Sequence, residues 1–201
     1  MLYSSTEVTE LVCTRISHDL IGNIGAMSNG LEILGGEGEV IDDETKNILQ
    51  TAVDILKYRQ KFFRMAFGVP SYQTKAEEVL QVCNDYVSTI GSKSYSINVK
   101  ISQFASEIAR YICLCVMIAA DVCVRGGNIE FSANNKHLCV TVSSDYDLSA
   151  AKIEKYESII KNVQQDKDSQ YAPLIYLQAL LGENVPLVLE KQDKKMSLTI
   201  G

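Results

Sequence analysis

Only two histidines occur in the chain, and one of them, His18, is followed directly by an acid, Asp19, within the stretch RISHDLIGNIG. An imidazole at its ordinary pKa of about 6.5 is roughly three-quarters neutral at pH 7, so a ring nitrogen can attack an electrophile such as phosphorus without a strong base. Asp19 either orients the ring by accepting its other N–H or stands as a solvated helix acid. Apolar residues at Cys13, Ile16, Leu20, Ile24, Met27, Leu31 and Leu34 recur in steps of three and four, which predicts one continuous seam along a helix. At about 100° per residue, His18 lies about 200° from Ile16 and Leu20 and points away from that seam. Gly22 and Gly25 fall beside the histidine on its own face. Each costs a helix interior roughly 0.8–1 kcal/mol relative to Ala. A surface pressing close to His18 would offset that cost, because glycines leave the helix backbone bare.

The elements that must hold this face follow from the surrounding pattern. The Ser, Thr and Glu cluster from Ser4 to Glu7 predicts the start of a helix that runs to Leu34 and is ended by GGEGE, Gly35 to Glu39. Asp42 or Asp43 caps a second helix through Phe67, stopped by Gly68 and Pro70. Apolar pairs at Ile48/Leu49, Ala52/Val53, Ile55/Leu56, Phe62/Phe63 and Ala66/Phe67 make a stripe too wide for one neighbouring helix to cover. A second copy of the chain would cover it, two hairpins forming a four-helix bundle about a two-fold axis. Equal rise from a turn near residue 39 sets His18 level with about residue 60 of the second helix. Lys57, Arg59 and Lys61 lie there. The two lysines suit a solvated helix end, whereas the forked guanidinium of Arg59, and that of Arg64, suits phosphate oxygens.

After Pro70 the pattern mixes, which predicts two domains, 1–70 and 71–201. Thr74 with Glu77 reads as a capping box opening a helix through Ile90. Tyr95 to Ile101 alternates as a strand, and an apolar helix follows from Phe104 to Val124. GGNIEFSA and HLCVTVSS form a hairpin around Asn134 to Lys136. A helix from Leu148 to Val163, the polar loop QQDKDSQ, a short helix from Pro173 to Leu181 and a final hairpin, VPLVLEK and KMSLTI, complete an α/β sandwich with a mixed sheet on one side. The fold class is therefore α+β.

Bulk properties remove several classes of function. With 19 basic and 25 acidic residues the net charge is −6, which argues against nucleic acid and against acidic membranes as partners. No secretory leader and no run of 18 or more apolar residues occurs, so a cytoplasmic location is expected. The six cysteines sit in apolar elements without paired spacing and read as reduced core residues, not a metal site. The second histidine, His137, opens a strand, a poor place for the access an acceptor needs.

RISHDLIGNIGAMSNGLEIL, Arg15 to Leu34, resembles the phospho-acceptor box of the ChpT-type histidine phosphotransferases, relatives of two-component sensor kinases in which an arginine, a His-Asp pair and a G-A-x-x-N-G-L-E run recur. FFRMAFG, Phe62 to Gly68, looks like the end of the second hairpin helix in the same family. One departure is Asn23, where the family commonly has proline. The resemblance implies the dimeric bundle, with His18 as phosphoryl acceptor, Asp19 beside it in catalysis, and Arg15, Gly22, Gly25, Asn29, Arg59 and Arg64 toward the partner.

The order of elements after Pro70 is similar to the ATP-binding domain of sensor histidine kinases, without its chemistry. Those kinases hold Mg-ATP with an asparagine on the helix before the Gly-Gly hairpin, and Cys113 to Val124 contains none. Their Asp-x-Gly-x-Gly turn is here Asp145-Tyr-Asp-Leu-Ser149, without glycine, and no glycine-rich phosphate loop precedes Pro173. Gly126-Gly127 remains, which is ordinary turn chemistry. The expected function is a phosphorelay carrier that takes a phosphoryl group onto His18 from the aspartyl phosphate of one receiver domain and passes it to the aspartate of another response regulator. No cofactor of its own is expected, and Mg2+ belongs to the partner receiver's acidic pocket. The alternative is a module that binds and sequesters receivers without being phosphorylated.

Overall fold

The computed structural model describes residues 3–34, 42–69, 74–90, 94–102, 106–133, 137–163 and 167–201. Helix α1 spans Ser5–Leu34. A reciprocal box fixes its start: the Glu7 N–H donates to Ser4 Oγ at 3.3 Å, and the Ser4 N–H donates to Glu7 Oε2 at 2.9 Å. Helix α2, Asp43–Phe67, is capped by Asp42, whose Oδ1 accepts from the Thr45 N–H at 2.6 Å. That bond holds the Asp42 carboxyl below the usual carboxylate range. The two helices run antiparallel, since Gly30 lies against Leu49 near one end of the pair and Asp19 against Arg59 further along. A Cβ on Gly30 would stand 2.6 Å from Leu49 Cδ2, so the Leu49 side chain packs directly over the glycine. The expected loops at 35–39 and 134–136, Pro70 and residues 164–166 of the polar loop lie outside the described residues.

The seam expected along α1 is divided. Ile16 and Leu20 pack on the core, while Ile24 and Leu31 are exposed, and Cys13 is exposed as well. Val8 and Leu11, outside that seam, are buried instead. The helix serves two sets of neighbours, because its N-terminal half packs on the late helix α6, Ala172–Leu181, and its remainder on α2.

Helix α3, Ala76–Ser88, begins two residues after Thr74, with Lys75 as a cap residue that makes no side-chain bond, so the expected Thr74–Glu77 box does not form there. Strand β1 covers Ile97–Ile101, and helix α4, Ala109–Val122, follows a 3-10 turn at Ser106–Ile108, later than the sequence pattern suggested. Strands β2, Gly127–Ala133, and β3, Leu138–Ser143, precede helix α5, Ala150–Ile160. A 3-10 turn at Ser169–Tyr171 leads into α6, and strands β4, Leu187–Gln192, and β5, Lys195–Ile200, close the chain. The sheet order is β1-β2-β3-β5-β4, with β1 parallel to β2 and the remaining pairs antiparallel.

Helix α4 is the centre of the molecule. Ile112 through Ala119 are fully buried, between the sheet on one side and α2, α3, α5 and α6 on the others. One continuous core joins the hairpin to the α/β part, through Phe62, Phe63 and Ala66 of α2 and Val8 and Leu11 of α1. Phe62 stacks on Tyr86 of α3 with ring centroids 3.7 Å apart and planes 8° from parallel. No described helix is long and apolar enough to cross a membrane.

Candidate functional site

His18 projects from α1 with 81% of its side chain exposed. Gly22, Gly25 and Asn29 are exposed on the same face, and nothing stands within 4 Å of where a Cβ on either glycine would lie. Ile21, one turn from the histidine, is exposed too. The face is thus an imidazole above a strip of bare helix backbone with an apolar flank.

Beneath the ring the helix is polar but closed. Asp19 has only 15% of its side chain exposed, and its Oδ1 lies 3.3 Å from His18 Nδ1. Its other oxygen, Oδ2, accepts from Arg15 Nε at 2.8 Å. Adjacent helix residues do not ordinarily face each other, so this geometry depends on what grips Asp19 from its far side. Arg15 is 11% exposed and makes two further contacts: Nη1 donates to the Gln170 carbonyl at 3.1 Å, and Nη2 stands 3.6 Å from Asp121 Oδ1 on α4. Asp121 in turn accepts from the Tyr156 hydroxyl on α5 at 2.9 Å. Burial alone would pull the Arg15 guanidinium down, but Asp121, Tyr86 and Asp19 together hold it above its ordinary range. Burial, reinforced by Asp121, pushes the Tyr156 hydroxyl well up, so it remains a donor.

Two arginines expected at the partner surface are therefore turned inward. Arg15 joins α1 to α4 and to the turn before α6, and its three nitrogens face Asp19, Gln170 and Asp121. Arg59 does stand at the level of the histidine, yet its Nη1 donates to the Asp19 carbonyl, and its Nε and Nη2 donate to Thr89 Oγ1 and Thr89 O at 3.1 and 3.3 Å. It pins α2 to α1 and to the end of α3. Arg64, more than one turn further along α2, is exposed. Lys57 is exposed and pairs with Asp54 at 3.4 Å. Asn23 is half-buried within an unbroken α1. His137 is exposed immediately before β3.

Asp121, Tyr156 and Gln170 were not among the residues expected at the site. Asp121 left a signal: it is the single charge in the apolar run Ile112 to Val124, and a charge there must find a partner. Tyr156 and Gln170 left none. Among the described residues no group of three or more His, Cys, Asp or Glu side chains is placed to hold a metal ion. Gly126 and Gly127 have φ of 78° and 156°, and a Cβ on either would stand 2.5 Å from a backbone oxygen, of Ser96 and Ser143 respectively, so the pair is required by the turn into β2.

No family model matches the chain. Over 65 residues it is 35% identical to protein phosphotransferase ChpT of Brucella abortus (strain 2308), a stretch that makes up 32% of this chain and 30% of that protein's length. The solved structure of a bacterial phosphotransferase superposes with a TM-score of 0.76 at 18% identity, over 99% of this chain and 98% of that one. Over its matched stretch the chain resembles ChpT, and as a whole it shares the fold of the bacterial phosphotransferase. The histidine kinase AdeS of Acinetobacter baumannii is more distant, with a TM-score of 0.47 at 12% identity over 91% of this chain and 95% of that one. What this fold supplies is a long helix whose outer face is left open at His18 while its inner face is tied to four other elements, α2, α4, α6 and the turn before α6.

Proposed function

We propose that the chain is a histidine phosphotransferase of a two-component phosphorelay, receiving a phosphoryl group on His18 from one receiver domain and delivering it to another. The observation that carries this is the pairing of an exposed His18 with an Asp19 carboxylate 3.3 Å from Nδ1, above glycines that leave room for a partner to approach the helix. With Nδ1–H donating to Asp19, the lone pair lies on Nε2, the nitrogen directed outward. Nε2 forms a bond to phosphorus in line with the acyl phosphate P–O bond, which breaks and leaves the receiver's aspartate as carboxylate. The ring becomes a cation with Nδ1–H retained, and Asp19 stabilises that charge. Attack by the second receiver's aspartate on the same phosphorus breaks the P–N bond and returns neutral imidazole. Mg2+ and the reacting aspartates belong to the receivers, and Gly22, Gly25, Asn29 and Arg64 face them.

The chain acts as a homodimer in this reading. Ile24 and Leu31 of α1 and Ile48 of α2 are exposed apolar residues, as two copies forming a four-helix bundle would require. Residues 1–70 then act as the dimerisation and transfer hairpin, and 71–201 as a nucleotide-free buttress.

The test is transfer of label from a phosphorylated receiver to the purified protein and to His18→Gln, beside a lane given ATP alone. Acid-labile label on the wild type only, and none from ATP, is the expected result. Label from ATP would overturn the carrier reading in favour of a kinase. Binding of receivers unaffected by His18→Ala, with no label from any, would replace it with a sequestering module.

A further inference from the structure

We infer that Asp121 and Tyr156, on helices of the α/β part, are positioning residues for His18: through Arg15 they fix the Asp19 carboxylate so that the ring keeps its proton on Nδ1 and presents Nε2. This rests on the carrier reading for its use, though not for its geometry.

The contacts form a chain across three helices. Tyr156 Oη donates to Asp121 Oδ2 at 2.9 Å, Asp121 Oδ1 stands 3.6 Å from Arg15 Nη2, Arg15 Nε donates to Asp19 Oδ2 at 2.8 Å, and Asp19 Oδ1 faces His18 Nδ1 at 3.3 Å. His18 is 81% exposed, whereas Asp19, Arg15 and Asp121 are 15%, 11% and 15% exposed and Tyr156 is fully buried. The chain of contacts is open to solvent at His18 and anchored in the core at Tyr156. A free Asp side chain on a helix rotates among several rotamers. Engaging Oδ2 leaves Oδ1 as the oxygen that faces the ring.

Among the described residues, charged or titratable groups near Asp19 come from other helices. From α2, Arg59 donates to the Asp19 carbonyl and not to its carboxylate. From α3, Tyr86 is buried, and burial pushes its hydroxyl up, so it stays neutral between Arg15 and Arg59. From α4 and α5 come Asp121 and Tyr156, and Tyr171 packs edge-on against Tyr156 with centroids 5.3 Å apart. Asp121 is thus the acid that balances Arg15 from the far side. Without it a mostly buried guanidinium has, among the described residues, Asp19 as its one carboxylate partner and is drawn outward with it. The role assigned here to the α/β part is therefore to hold a tautomer, which a mere buttress would not do.

The experiment uses the 15N-labelled protein of all 201 residues, observing the two-bond proton–nitrogen correlations of the His18 ring at a pH about two units above the ordinary imidazole pKa. His137 serves as reference, and His18→Gln assigns the signals. The wild type is expected to favour Nδ1–H. Asp121→Asn and Tyr156→Phe should each lower the Nδ1–H to Nε2–H ratio at His18 by about threefold or more, with His137 unmoved, and slow phosphoryl transfer without weakening receiver binding. Tyr156→Phe removes one oxygen and keeps the ring packed, so it remains informative if Asp121→Asn fails to fold. An unchanged ratio in Tyr156→Phe, and in Asp121→Asn where that variant folds, overturns the inference. A wild type that takes no label from any receiver defeats the carrier reading separately, because the tautomer measurement needs no receiver.

Discussion

Replacing both Gly22 and Gly25 by alanine should make the protein more stable and worse at its proposed task. Both positions lie within α1, and a Cβ on either meets nothing within 4 Å. Each substitution therefore gains the helix propensity difference of roughly 0.8–1 kcal/mol without a clash, and the pair gains about 2 kcal/mol. At about 2–4 °C per kcal/mol for a chain of this size, the melting temperature should rise by roughly 4–8 °C. If a receiver lies against this bare backbone, two methyl groups overpack the contact by about 1–3 kcal/mol, or roughly 5- to 150-fold in affinity. Thermal melting by circular dichroism reads the first effect, and receiver titration by calorimetry the second. A stabilised variant that binds and transfers as well as the wild type would refute the docking face. A variant that gains no stability would refute the premise that these glycines carry an uncompensated helix cost.

Phe62→Ala should cost about 3–5 kcal/mol, since it removes a fully buried ring and its stack on Tyr86; a fall in the urea midpoint equivalent to less than about 1.5 kcal/mol would contradict the packing between α2 and α3. Cys13 is the one exposed thiol of the six, so it should be alkylated first. Burial pushes Cys123 up to about 11 and raises Cys113 and Cys115 further, which leaves them with little thiolate at neutral pH. If two copies cover the apolar stripe, Cys13 should become protected as protein concentration rises in the wild type and stay reactive at every concentration in Leu31→Lys, as mass spectrometry of the adduct would read; protection that ignores concentration would count against the dimer.

The face of His18 was legible because helix geometry alone, at about 100° per residue, separates it from the apolar side. The strands were legible from alternation, and β5 begins and ends where its pattern does. The division of the α1 seam was not, because periodicity records which residues are apolar and not which neighbour covers them. Val8 and Leu11 are buried on the side where α6 packs, an element more than 150 residues later. Arg15 and Arg59, expected toward the partner, turn inward for the same reason: a charge on a helix looks free for a partner until its distant contacts are known. Half of that information was visible in Asp121, alone among apolar residues. The start of α3 failed on a different ground, since Thr74 and Glu77 have the right types and spacing for a box while the helix begins at Ala76.

The order of synthesis gives the continuous core a further consequence. Helices α1 and α2 leave the ribosome before the groups that finish the His18 helix: Asp121, then Tyr156, the Gln170 carbonyl, and α6, which packs on α1. A nascent chain that has made only the hairpin carries Phe62, Phe63, Val8 and Leu11 without their cover, and an Arg15 without its far partner. The histidine is made before its setting is complete, so a product truncated between the two keeps the residue without the environment that orients it.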